Sequence, residues 1–211
     1  MPKPEPEFVA SRSTERLIFF SDAVVAIAIT LLAIDLPVPE GSTMTAFWNA
    51  VQHNTHEYVA FLISFYVIAM SWSNHHDAFA YVSRVDPRIR TQNFTWLLTI
   101  VLNPFATKLL ITSGSATPAR FGFYAVIQLV SAGILFLMLR HMSAAGLMPD
   151  APPAVVRQMI MGSYVAMLAF GISIPVFFAT SYGWILWIVI PLIAGRLLAL
   201  RRHGADSSQL S

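Results

Sequence analysis

The sequence predicts an all-α membrane protein with six transmembrane helices per chain, and three observations carry that prediction. Of 211 residues, 56% are apolar and only 11% are charged, against about 25% charged in an ordinary soluble domain. Mean hydropathy is +0.63, more apolar surface than a soluble domain of this length can hide. The apolar residues also fall into six segments, most of them near the ~20 residues that a helix needs to cross a bilayer. These features exclude a disordered chain, a nucleic-acid-binding module and a typical soluble enzyme. The absence of cysteine excludes a disulfide framework, a thiolate zinc site and a thiol nucleophile.

The segments run about Leu17–Leu36, Tyr58–Trp72, Phe94–Thr112, Phe121–Leu139, Met159–Ala179 and Tyr182–Leu200. The first is too long for a signal peptide, is interrupted by Asp22, and is followed by Pro37 and Pro39 instead of a small-residue cleavage site. The second is short, but Glu57 at one end and Ser73-Asn74-His75-His76 at the other extend it into the headgroups. The last two form one apolar run broken only by Thr180-Ser181-Tyr182-Gly183, which predicts a tight helical hairpin. Pro104, Pro175 and Pro191 lie within spans, where neighbouring groups satisfy the freed carbonyls. Trp184 and Trp187 at the start of the last span fit an aromatic belt.

Orientation follows from the basic residues. Lys3, Arg12, Arg16, Arg84, Arg88, Arg90, Arg140, Arg157, Arg196, Arg201 and Arg202 fall at one set of helix ends, and only Lys108 and Arg120 at the other. With an even number of spans, both termini are expected in the cytoplasm. The linker from Pro37 to His56 carries no Lys or Arg and is expected outside.

The first helix holds most of the functional information. Ser13 and Thr14 are candidate N-caps. At 100° per residue, Phe20, Ala23, Ile27, Leu31 and Ile34 share one stripe, with Thr30 at its edge and Ser21-Asp22 pointing elsewhere. Two readings of the stripe are open. It packs against lipid or protein, or symmetric copies close a hydrophobic constriction that gates by dewetting. Asp22 is either a solvated carboxylate at headgroup level or a paired functional group, its candidate partners at matching depth being His75 and His76. Thr30 either hydrogen-bonds its own helix backbone or compensates an ion that sheds water beside isoleucine. Asp35, with Glu40 nearby, is either ordinary surface charge or part of a cation-concentrating vestibule.

The run Arg16-x3-Phe20-Ser21-Asp22, followed by Ala26-Ile27-Ala28-Ile29-Thr30-Leu31-Leu32, resembles the signature helix of the transmembrane-protein-175 potassium channels in their short bacterial form. Trp72-Ser73-Asn74-His75-His76 at the end of the second span is a further match, as are Asn93, Leu97 and Pro104-Phe105 in the third. Ala23 stands where many members carry glycine. The matches cover about the first half of the chain; the second half fits in helix count and length. The chain contains no Thr-Val-Gly-Tyr-Gly filter.

The resemblance implies a homotetramer in the bacterial inner membrane, with the first helix of each subunit lining a central pore for potassium. It implies that Ile27 forms the narrowest ring, that Leu31 and Ile34 continue the constriction, and that Thr30 supplies a hydroxyl layer for selectivity. Arg16, Phe20, Ser21, Asp22, Trp72, His75 and His76 would form the signature polar network, and Asp35 the outer vestibule. Residues 1–12 are then a cytoplasmic N-terminal segment, 13–203 the six-helix channel domain and 204–211 a flexible tail. The permeant ion is potassium, the other partner is the lipid bilayer, and no cofactor, resident metal or nucleic acid is expected.

Other classes are weighed against this one. A proton-coupled secondary transporter would use Asp22 and a histidine of the second helix as a proton relay. It lacks a convincing inverted repeat and a second mid-depth acid. An intramembrane enzyme lacks any His-Glu-x2-His or comparable motif. His53-x2-His56 and His75-His76-Asp77 have metal-compatible residue types, with no third strong ligand evident for the first pair.

Overall fold

The structure, a computed structural model, describes residues 6–112, 117–180 and 183–196, with side chains from Arg12 onward. Its helices are α1 (Pro6–Ile34), α2 (Met44–His53), α3 (Thr55–Phe79), α4 (Pro87–Ile111), α5 (Thr117–Ala144) and α6 (Pro153–Ala179). A 3-10 turn at Gly183–Ile185 leads into a last helix, α7 (Gly183–Arg196). Four of them, α1, α4, α5 and α6, are long and apolar enough to cross a membrane. α3 is as long as α4, 25 residues each, but polar residues at both of its ends (Thr55-His56-Glu57 and Ser73 to Asp77) shorten its apolar stretch, and α7 is shorter.

The expected spans map onto α1 and α3 to α7, with two differences of extent. α1 starts at Pro6, so Ser13 and Thr14 lie inside it, not at its cap, and the expected boundary after residue 12 falls within the helix. Proline at the first helical position costs no hydrogen bond. The expected linker holds a helix of its own. Thr43 caps α2 by accepting the Ala46 N–H at 3.2 Å, yet α2 buries none of its residues. The expected tail and the ends of the last span lie outside the described residues.

α1 packs on α3 and α4, α4 also packs on α5, and α5 on α6. Val25, Ala28 and Leu32 of α1 meet Ile68 and Phe79 of α3, Trp96 and Ile100 of α4, and Leu135 and Met138 of α5 in one core. Tyr58 at the start of α3 donates to the Pro37 carbonyl beyond α1, so α1 and α3 run antiparallel. The Ser71–Trp96 and Ser64–Thr107 bonds show the same for α3 and α4, and the Asp86–His141 and Asn103–Gln128 bonds for α4 and α5. Arg12, Arg84, Arg88, Arg140 and Arg157 therefore gather at one end of the bundle, here the basic end, and Lys108 at the far end.

Local chemistry fixes the basic end. Asp86 caps α4 by accepting the Ile89 N–H at 2.7 Å and also bonds His141 Nε2 at 2.6 Å. Burial works against the Asp86 carboxylate, but the Ile89 N–H and His141 together hold its pKa below the ordinary carboxylate value. α5 ends in a Schellman motif at Gly146, the one glycine with positive φ (63°) among the described residues. Leu147 N–H donates to the Met142 carbonyl at 2.9 Å and Gly146 N–H to Ser143 at 3.3 Å. The Leu147 carbonyl then accepts both the N–H and the hydroxyl of Ser83, tying the α3–α4 loop to the α5–α6 loop.

The α6–α7 hairpin closes on Gly183. A Cβ there would lie 2.9 Å from both the Phe177 Cβ and the Ser173 carbonyl oxygen, so only glycine allows this crossing. Trp187 follows into the bundle instead of joining an interfacial belt. It lies 4.8 Å from the Phe121 ring and 5.1 Å from Tyr124, and its N–H reaches Ser173 Oγ at 2.9 Å. Trp187 is partly buried there, and an indole N–H taken out of water needs such a partner.

Candidate functional site

α1 presents two unlike faces. Thr14 and Ser21 are buried, and Val25, Ala28 and Leu32 pack into the core shared with α3, α4 and α5. The opposite stripe is left open by the chain's own helices: Ile27 is 60% exposed, Leu31 43% and Ile34 77%. Phe20 is half-exposed and meets Phe94 edge to face at 5.9 Å. Thr30 is exposed, and its hydroxyl donates to the Ile27 carbonyl at 2.9 Å. That bond uses the hydroxyl hydrogen and leaves the oxygen lone pairs available on the open face.

Behind that stripe a polar clamp joins α1 to α3 and α4. His75 is 1% exposed and sits between Trp96 at 4.2 Å and Phe79 at 4.3 Å. Its Nε2 meets Asn93 Oδ1 at 2.7 Å. Asn93 donates to Ser21 Oγ at 2.9 Å, and Ser21 donates to the Leu17 carbonyl at 2.8 Å. The Asn93 amide faces Ser21, so its Oδ1 accepts and His75 Nε2 donates. Nδ1 is buried and has no hydrogen-bond partner among the described residues.

Asp22 takes its hydrogen bond from Trp72 Nε1 at 2.8 Å. Histidine was the expected partner, but His75 is turned toward α4 by its two ring contacts. His76 is exposed and lies on the Trp72 ring at 5.2 Å. Arg16 is exposed and is not brought into the clamp. Asp35, at the far end, pairs with Lys108 Nζ at 2.8 Å. His53 ends α2 while His56 contacts Glu57 at 3.2 Å. Among the described residues no three His, Asp or Glu side chains gather as a metal set.

Sequence reasoning missed a second polar network deeper in the bundle. Thr107 donates to Ser64 Oγ at 2.8 Å, and Ser64 bonds the Tyr124 hydroxyl at 3.2 Å. Gln128 donates to Asn103 Oδ1, whose amide donates in turn to the Thr99 carbonyl at 2.9 Å. Thr99, Asn103 and Thr107 recur every four residues, a stripe that marks one helix face. All six side chains are buried, so α3, α4 and α5 are held together by satisfied hydrogen bonds.

The clamp and the open stripe fall within a stretch that matches a known family. The family model described as "Endosomal/lysosomal potassium channel TMEM175" matches residues 16–104, which takes in Asp22, Trp72, His75 and Asn93. A potassium channel of Streptomyces collinus is 32% identical over 142 residues, 64% of this chain and 69% of that protein. A potassium channel of Chamaesiphon minutus is 30% identical over 177 residues, 76% of this chain and 84% of its own length. The crystal structure of a lysosomal potassium-selective channel TMEM175 homolog from Chamaesiphon minutus superposes with a TM-score of 0.67 at 28% identity, covering 86% of this chain and 97% of that one. With its apolar helices and these relatives, the chain is a multi-pass membrane protein, and it belongs to the TMEM175 family.

Proposed function

We propose that the protein is a potassium-selective cation channel without enzymatic activity, in which α1 of each subunit of a homotetramer lines a central pore. The observation that carries this reading is the division of α1. Its polar residues Ser21 and Asp22 are held by α3 and α4, while Ile27, Leu31 and Ile34 stay open. A helix fixed on its polar side and bare on its apolar side is built to meet copies of itself around an axis. Rings of Ile27, Leu31 and Ile34 would then close the conduit by dewetting. Thr30 would offer its oxygen to an ion that has shed water, and Asp35 would sit at the outer mouth. In this reading α1 and α3 to α7 are six spans in a bacterial inner membrane, with both termini cytoplasmic. The relatives named as potassium channels support it.

Reconstituted protein is expected to pass potassium passively in planar bilayers. Ile27→Asn is expected to hydrate the constriction and raise conductance or weaken ion discrimination. Unchanged conductance and selectivity would remove Ile27 from the pore. Strictly coupled, saturating flux would replace the channel by a proton-coupled carrier working through Asp22 and a histidine of α3.

A further inference from the structure

α3 and α6 barely touch, and between them, floored by α5 and closed by α7, lies a cleft of about 1150 Å³. Each wall is one helical face. Met70, Asn74 and Asp77 line it from α3, and Gly162 and Ala166 from α6. The small α6 residues keep it open: a Cβ at Gly162 would meet nothing within 4 Å.

The cleft has two chemistries. Along most of its length it is apolar, at the depth of the membrane-spanning helices. Toward the basic end the Asp77 carboxylate and the Asn74 amide line its mouth. Deeper in the cleft than both lies Ser131 of α5. It lines the cleft, is 2% exposed, and its hydroxyl has no hydrogen-bond partner among the described residues. A buried hydroxyl left unpaired at this depth is costly, so its partner is expected to come from outside the chain. Ser64 bonds Tyr124, which sets α3 and α5 in register. Asp77 then lies about six helical residues beyond Ser131, roughly 9 Å along the bundle. That is the scale that separates the ammonium group from the ester carbonyls within one phospholipid.

We propose that this cleft binds one aminophospholipid per chain. Its ammonium group pairs with Asp77, an ester carbonyl accepts the Ser131 O–H, and its acyl chains fill the gap beside Gly162 and Ala166. The assignment goes beyond the conduction reading and does not depend on it, because binding is read without flux.

The test is native mass spectrometry of delipidated protein titrated with dioleoylphosphatidylethanolamine, with dioleoylphosphatidylglycerol as the comparison. Wild type is expected to retain one phosphatidylethanolamine per chain in preference to phosphatidylglycerol. Gly162→Leu starts from a Cβ position with nothing within 4 Å, extends into the cleft, and is expected to weaken retention about tenfold. Asp77→Asn, at the mouth and exposed, is expected to abolish the headgroup preference while leaving the thermal midpoint in place. Retention unchanged in both variants overturns the proposal, as does equal binding of the two lipids by wild type. A change of oligomeric mass in Gly162→Leu with lipid retention intact gives the cleft to a neighbouring subunit and also overturns it.

Discussion

The Trp72 indole N–H points at the Asp22 carboxylate across a distance of 2.8 Å, so the acid in the signature helix is held by a tryptophan of α3. The indole carries no charge and keeps its proton across the physiological range, so the bond does not depend on pH as a histidine partner's would. Trp72→Phe keeps the ring but removes the donor and leaves a half-buried carboxylate with one partner fewer. Thermal stability in detergent is expected to fall by about 1–3 kcal/mol. Asp22→Asn, which can still accept the indole N–H, is expected to lose less. Equal midpoints for wild type and Trp72→Phe in a heat-and-size-exclusion assay would mean that Asp22 is satisfied by solvent.

Why the sequence pointed to histidine is a matter of helix geometry. Trp72, His75 and His76 lie within about one turn, so depth alone does not separate them. Packing does: the stacking of His75 between Phe79 and Trp96 turns it to Asn93 and leaves the α1 side to Trp72. The stripe of Ile27, Leu31 and Ile34 was legible because it depends only on the period of one helix. The Ser64–Thr107–Tyr124 network was not, because it needs the register of three helices at once. α2 escaped notice because a ten-residue helix that buries nothing leaves no apolar periodicity long enough to read.

Asn93 serves as donor to Ser21 and acceptor from His75, so the two bonds are expected to be coupled. Ser21→Ala and Asn93→Leu are each expected to destabilise the fold, the second more, since it strands two buried partners. Their double variant is expected to fall short of the sum by about 0.5–3 kcal/mol. Strict additivity in thermal or denaturant unfolding would show that Ser21 and Asn93 do not share a relay.

Lys108 neutralises Asp35 in an exposed pair at the far end. If that end is the outer mouth of the pore, Lys108→Met frees a negative charge in every subunit. Potassium conductance is then expected to rise at ~0.01 M salt and to match wild type at ~1 M, where screening shrinks to about 3 Å. A difference that persists at high salt would point to a change in pore shape, not in field.

Asp86 links pH to stability at the basic end. Its folded-state pKa lies below the unfolded value, so its stabilisation is present above about pH 4 and fades as pH falls through the folded value. Asp86→Asn keeps a side chain able to cap α4 but has no charge to lose. The stability gap between wild type and Asp86→Asn is expected at neutral pH and should close as pH falls below the unfolded value and through the folded one. Parallel midpoint curves across that range would remove Asp86 from the pH response.

Two glycines separate close packing from open space. At Gly183 an added methyl group meets the Ser173 carbonyl oxygen and the Phe177 Cβ at 2.9 Å, and neither the backbone of α6 nor a Cβ can swing away. Gly183→Ala is therefore expected to force α6 and α7 apart and cost about 1–3 kcal/mol. The displaced α7 would carry Trp187 off Phe121 and Tyr124, so its indole emission is expected to shift to the red. At Gly162, inside α6 with nothing within 4 Å, the same change trades a poor helix former for a good one. Gly162→Ala is expected to be neutral or to stabilise by up to about 1 kcal/mol. If Gly183→Ala unfolds at the wild-type temperature with unchanged emission, the α6–α7 hairpin does not close in this way.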